Sequence, residues 1–168
     1  SVSGLVLLSQ PVLMAVLSPF AGTLSDRIQP QKIAAVGMGM LALGFFFFIF
    51  LTAETSIILI ILDLVFIGIG FALFASPNTN AIMSSVDRTF YGVASSILGN
   101  MRVLGQSISM AIVSLITSVF MRDMIISSPG YTGQLMGSLQ IAFIIFTILS
   151  VFGVLASLGG RKSRAEQD

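Results

Sequence analysis

Two ionisable side chains, Asp63 and Arg102, stand inside apolar stretches long enough to cross a bilayer. Asp63 lies about seven residues from one end of its stretch, roughly 10 Å deep at 1.5 Å per helical residue. Arg102 lies about ten residues from the opposite end of the next stretch, roughly 15 Å deep by the same rise. The two groups therefore sit at comparable depth on consecutive segments. An ion in such surroundings is costly, and it pairs, faces a wet cavity or snorkels towards water. One reading is an Asp63–Arg102 ion pair that only holds the bundle. The other makes one or both line a cavity, with Asp63 a proton or cation site. Around Arg102, the residues Ser95, Gly99, Arg102, Gln106 and Ser109 recur at spacings of four, three, four and three. That pattern is one helix face. Arg102 and Gln106 are large for packing through small residues, so the face reads as cavity lining.

Other chemistry is excluded by what the chain lacks. It has no cysteine and no histidine. That removes disulfides, thiol catalysis, zinc sites and histidine proton relays. No glycine-rich phosphate loop with a lysine is present, so ATP-driven work is not indicated. No nucleophile, base and orienting group stand together, so no catalytic residue, metal site or cofactor is expected. A net charge of +1 gives no sign of a nucleic-acid partner.

The elements that must position these residues follow from composition. Of 168 residues, 55% are hydrophobic and 9% charged, against about 25% charged in a soluble domain. A bilayer core about 30 Å thick needs about 20 apolar helical residues. Such spans run over about 2–23, 33–51, 56–77, 93–121 and 139–158. Helix is the state that satisfies an isolated backbone in lipid. The expected fold is therefore an all-α polytopic transmembrane bundle of about five spans, with a tail over 161–168. Arg27, Lys32, Arg88, Arg161, Lys162 and Arg164 fall on one side of five crossings, and Arg122 on the other. Excess Lys/Arg marks the cytoplasmic face, which places the C-terminus inside a multi-pass protein of the cell membrane. The chain enters an apolar run at Ser1 without a signal-peptide pattern, which reads as the cut end of a longer chain. Phe45 to Phe48 points all round its helix and suits lipid contact. Gly37, Leu41 and Gly44 make a small-residue face for close helix contact. Asn78 and Asn80, after Pro77, are expected to cap a helix end and form a turn.

Gly22-Thr23-Leu24-Ser25-Asp26-Arg27-Ile28-Gln29-Pro30-Gln31-Lys32, between the first two spans, resembles the Asp-Arg loop of the major facilitator superfamily. Gln29 replaces the usual glycine and Gln31 a usual basic residue. Ser76-Pro77-Asn78-Thr79-Asn80 looks like the signature of that family's fourteen-span drug:proton antiporter branch. So do Gly92-Val93-Ala94-Ser95-Ser96 and Asn100-Met101-Arg102-Val103-Leu104-Gly105. The resemblance covers essentially the whole chain. It implies most of a carboxy-terminal half, lacking its first helix, in a transporter that works by alternating access. It implies proton-coupled multidrug efflux, with a small-molecule substrate, protons, the lipid bilayer and a missing N-terminal half as partners. Another small solute, such as a sugar or organic acid, or a truncated membrane protein without transport, are the alternatives. Asp26 and Arg27, with Gly22, are either a solvated anchor or a conformational latch. In the latch, the family resemblance has the Asp meet a helix N-terminus and an Arg of the opposite half. A carboxylate at a helix N-terminus gains roughly 0.3–1 kcal/mol when exposed. That biases a two-state equilibrium severalfold without locking it.

The orientation has a direct test on this cysteine-free background. A single cysteine at position 29 should label only from the cytoplasmic side, and one at 130 only from outside. Labelling of position 130 from the inside alone would sink the assignment.

Overall fold

The computed structural model describes residues 2–52, 54–121 and 130–159. Five long helices account for nearly all of them: α1 (Val2–Arg27), α2 (Pro30–Phe48), α3 (Ile57–Ser84), α4 (Tyr91–Phe120) and α5 (Tyr131–Gly159). A single 3-10 turn, Arg88–Phe90, leads into α4. Among the described residues, α2, α3, α5 and the segment Arg88–Phe120 are long and apolar enough to cross a membrane. The protein is an all-α membrane bundle.

Local chemistry explains the helix ends. Pro30 opens α2, where its missing N–H is not needed and its fixed φ suits a helix start. Thr52 and Thr55 close the link from α2 to α3. The Thr52 N–H donates to Thr55 Oγ1 at 2.9 Å, so a short connection suffices to reverse the chain. Gly130 has φ +98°, a conformation that glycine adopts freely, and α5 begins immediately after it. The fifth helix thus starts well before Leu139, where the apolar run begins. The Arg122–Pro129 part of the expected outer loop and the tail from Arg161 lie outside the described residues.

The helices do not pack in chain order. The neighbour sequence is α1, α3, α2, α5, α4, with α4 also touching α3. Contact positions give the directions. Gly68 of α3 faces Gln10 of α1, and Gly22 of α1 faces Ser76 of α3, so these two run parallel. Gly37 and Gly44 of α2 face Gly70 and Ile67 of α3, so that pair is antiparallel. Met38 faces Gly153, and Phe48 stacks on Phe143, so α2 and α5 are antiparallel too. These directions are those of a chain that crosses back and forth.

The tightest contact is between α2 and α3. A Cβ at Gly37 would stand 2.6 Å from the Phe74 backbone nitrogen and 2.7 Å from the Gly70 oxygen. Backbone meets backbone there, as the expected small-residue face requires. Leu41, Phe48 and Ile67 form the core beside it, with Phe45, Leu64 and Phe143 packed against them. The Phe45–Phe48 run divides between two environments. Phe48 is buried with its ring 4.9 Å from Phe143, and Phe45 stacks at 6.5 Å on the same ring. Only Phe46 and Phe47 are exposed. The exposure that lipid contact requires is present at these two and absent at the others, because α5 covers that side of α2.

Substituting Gly37 should therefore break the bundle. Gly37→Leu forces the two backbones apart and should cost about 3 kcal/mol, at the upper end for overpacking. Gly39 has no atom within 4 Å of its Cβ position, so Gly39→Leu should stay within about 0.5 kcal/mol. Detergent-titrated unfolding of both variants measures the contrast.

Candidate functional site

Three constellations carry polar chemistry. The first is at the C-terminal ends of α1 and α3. Ser25 is buried, and its Oγ donates to the Gly22 carbonyl at 2.6 Å. The same oxygen accepts from Asn80 Nδ2 at 2.7 Å. Gly22 also lies against Ser76, whose Oγ is 3.3 Å from a Cβ built there. The Asp-Arg loop segment and the Asn segment are thus one site, joined through a serine that the sequence does not single out. Asn78 and Asn80 do not end the helix. α3 continues through Pro77 to Ser84, and Thr79 Oγ1 donates to the Ala75 carbonyl at 2.8 Å. A proline removes one backbone hydrogen bond and normally ends or kinks a helix. Neighbouring helices and Ser/Thr side chains tolerate it in membrane proteins, and Pro77 is fully buried against its neighbours. Arg27 is exposed, while the side chain of Asp26 lies outside the described residues.

The second constellation is the polar face of α4. Ser95, Gly99, Arg102 and Gln106 are exposed along it and Ser109 is half-buried. The serines donate back to their own helix, Ser95 to the Gly92 carbonyl and Ser109 to that of Gln106. Ile116 is the one buried residue of α4. The face meets no polar partner from another helix among the described residues. Ser109 opens onto a cleft of about 400 Å³ between α2, α4 and α5, with Met38, Phe45 and Phe143 in its wall.

Asp63 belongs to neither. It lines a separate cleft of about 430 Å³ formed by α2, the connection after it and α3. Its Oδ1 lies 3.5 Å from the Cβ position of Gly44. No residue of α4 lines this cleft, so the structure does not bring Asp63 and Arg102 together. The ion-pair reading fails in this arrangement. Equal depth does not imply contact, because α3 has α1 and α2 as its principal neighbours.

Comparison with known proteins decides the class. The profile of the Major Facilitator Superfamily matches residues 1–167. The chain belongs to this superfamily. It is transporter sequence, not an enzyme, and as a superfamily chain it is a multi-pass membrane protein. An uncharacterized transporter of Escherichia coli, YebQ, is 38% identical over 118 residues, covering 70% of this chain and 26% of the relative. The multidrug resistance protein Stp of Mycobacterium tuberculosis is 31% identical over 121 residues, 72% of this chain and 22% of Stp. The riboflavin transporter RibZ of Clostridioides difficile is 28% identical over 112 residues, 67% of this chain and 25% of RibZ. The chain thus matches about a quarter of the length of these superfamily relatives. No solved structure matches it.

The Ser25–Asn80 bond is measurable as a coupling. Ser25→Ala and Asn80→Ala should each cost about 1 kcal/mol. Their double-mutant cycle should retain about 0.6 kcal/mol of interaction, the usual value for such bonds between membrane helices. Strict additivity in the cycle would mean that the two side chains do not support each other.

Proposed function

We propose that this chain supplies most of the carboxy-terminal half of a secondary transporter that exports drug-like molecules in exchange for protons. Two halves would rock about a central path, and α4 would present Arg102 and Gln106 to it. The observation that carries this reading is the polar face of α4, open along its length while α2, α3 and α5 are packed together. In a bilayer a face with an arginine and a glutamine must meet protein or water rather than lipid. A second half docked against α4 with a wet path between them meets that need. The names of similar proteins, one a multidrug resistance protein and another a lincomycin resistance protein of Listeria monocytogenes, 25% identical over 168 residues, support the drug-export form. In this reading the loop at Gly22, Asp26 and Arg27 faces the cytoplasm of the cell and engages the other half as a latch, and Pro77, Asn78 and Asn80 keep the inner end of α3 in place beside it.

The likeness to a riboflavin transporter favours a second reading, in which the same fold moves a metabolite. The α4 face suits either, because one guanidinium and one amide recognise polar groups common to both classes.

The test uses proteoliposomes with an imposed pH gradient. The longer transporter that contains this sequence should move a drug substrate only with the gradient, and Arg102→Gln should reduce flux per folded molecule at least about tenfold, the value of one charge-assisted hydrogen bond lost. The 168-residue chain alone should carry no flux, since alternating access needs both halves. Flux through the short chain, or full flux in Arg102→Gln, overturns the assignment. Gradient-driven riboflavin uptake without drug movement would select the metabolite reading.

A further inference from the structure

One hydrogen bond beside the end of α2 plays no part in that path. Gln140 Nε2 donates to the Leu51 carbonyl at 3.3 Å, and among the described residues no other side-chain hydrogen bond joins α5 to the rest of the bundle. The backbone around Leu51 explains why this carbonyl is free to accept. Past Phe48 the N–H groups of Ile49, Phe50 and Leu51 each donate three residues back, at 3.2, 3.1 and 3.3 Å, a tightened turn of the 3-10 kind. The Thr52 N–H then goes to Thr55 Oγ1, and the Thr55 N–H to the Thr52 carbonyl. These donors are satisfied within α2 and the link to α3. The Leu51 carbonyl is left over, since no backbone N–H of the described residues reaches it. In apolar surroundings an unpaired carbonyl is costly. One turn away on α5 stand Met136, Gly137, Phe143 and Ile144, and none of their side chains can donate to it.

Packing alone does not fix Leu51. One side of it touches the core at Phe48, yet it borders a hollow on each flank. Towards α5 lies a space of about 90 Å³, shared with Ile60, Met136 and Phe143. Towards α3 lies the larger cleft, shared with Phe50 and Thr55. A side chain with room on both sides is short of dispersion partners, so a directional bond decides where its backbone stands. The other described contacts between α5 and α2 are rings on rings and Met38 on Gly153. Such apolar contacts are non-directional and survive a small shift.

We propose that Gln140 is a releasable catch, a positioning residue that holds Leu51 against α5. With the bond made, Leu51 stands between the two hollows and the end of α2 moves with α5. With the bond open, Leu51 shifts into the space beside it, and the start of the α2–α3 link moves independently of α5. The aromatic contacts of Phe45 and Phe48 with Phe143 keep the helices together in both states. The catch is a property of the fold, so it stands or falls separately from what the transporter carries.

Amide hydrogen exchange of the 168-residue chain in maltoside micelles tests this. Gln140→Met keeps the bulk and removes the donor. It should speed exchange of the Leu51 and Thr52 amides about fivefold, the worth of one ordinary hydrogen bond, and leave those of Leu41–Phe48 unchanged. Gln140→Asn, too short to reach, should behave alike, whereas Gln134→Met, at the exposed glutamine of α5, should change nothing. A second measurement is independent of exchange. Spin labels on Glu54→Cys and Thr132→Cys should give one distance with Gln140 in place and a second population with Gln140→Met. Unchanged exchange at Leu51 and Thr52, or a single unchanged distance, overturns the catch. Equal acceleration through Leu41–Phe48 also overturns it, because Gln140 would then serve only global stability.

Discussion

The crossing of α2 and α3 at Gly37 and Gly70 is the constraint from which the other contacts follow. Lipid offers no hydrophobic drive to bring helices together, so their association rests on packing. Two glycines let the backbones touch, and the absence of a Cβ at Gly37 is what the distance allows. With that crossing fixed, α2 must turn Phe45 and Phe48 to α5, where they stack on Phe143. Gln140 of α5 then reaches the Leu51 carbonyl at 3.3 Å, tying the third partner to the same place. On the other flank the crossing sets Asp63 beside the bare backbone at Gly44.

This geometry separates the two intramembrane charges. The other helices make polar contacts across their interfaces, Ser25 with Asn80 and Gln140 with the Leu51 carbonyl, and turn Asp63 into a cleft. α4 differs in having no such cross-helix bond among the described residues. Serines along it bond only to their own helix, which leaves its packing to Ile116 and a few neighbours. A helix held so loosely to its own group has its surface free for another.

Much of the fold was legible in the sequence because a bilayer is a ruler. Apolar stretches measured against its thickness give the helices and their order, and Gly37, Leu41 and Gly44 give the closest contact. Position around the axis is harder to read. Asp63 and Arg102 share a depth, but depth along the chain says nothing of direction, and consecutive helices α3 and α4 are only marginal neighbours. The four phenylalanines failed as a unit for the same reason, since which two stay exposed depends on where α5 docks. Pro77 misled in another way. Its turn chemistry is real in water, whereas in a packed membrane helix the lost hydrogen bond is tolerated and the helix runs on to Ser84. Ser25 carried no signal of its own, because serine is common and its role exists only once Asn80 is beside it.

Pro19 in α1 and Pro77 in α3 each delete one rung of the hydrogen-bond ladder. Gly22 meets Ser76 on this parallel pair, so Pro77 lies about four residues, roughly 6 Å, beyond the level of Pro19. Two beams glued side by side and notched at staggered heights each back the other's weak point with intact material. The Ser25–Asn80 bond beyond both notches keeps the C-terminal ends from sliding apart. The α1–α3 pair therefore resists bending as one laminated strut rather than as two separately jointed rods.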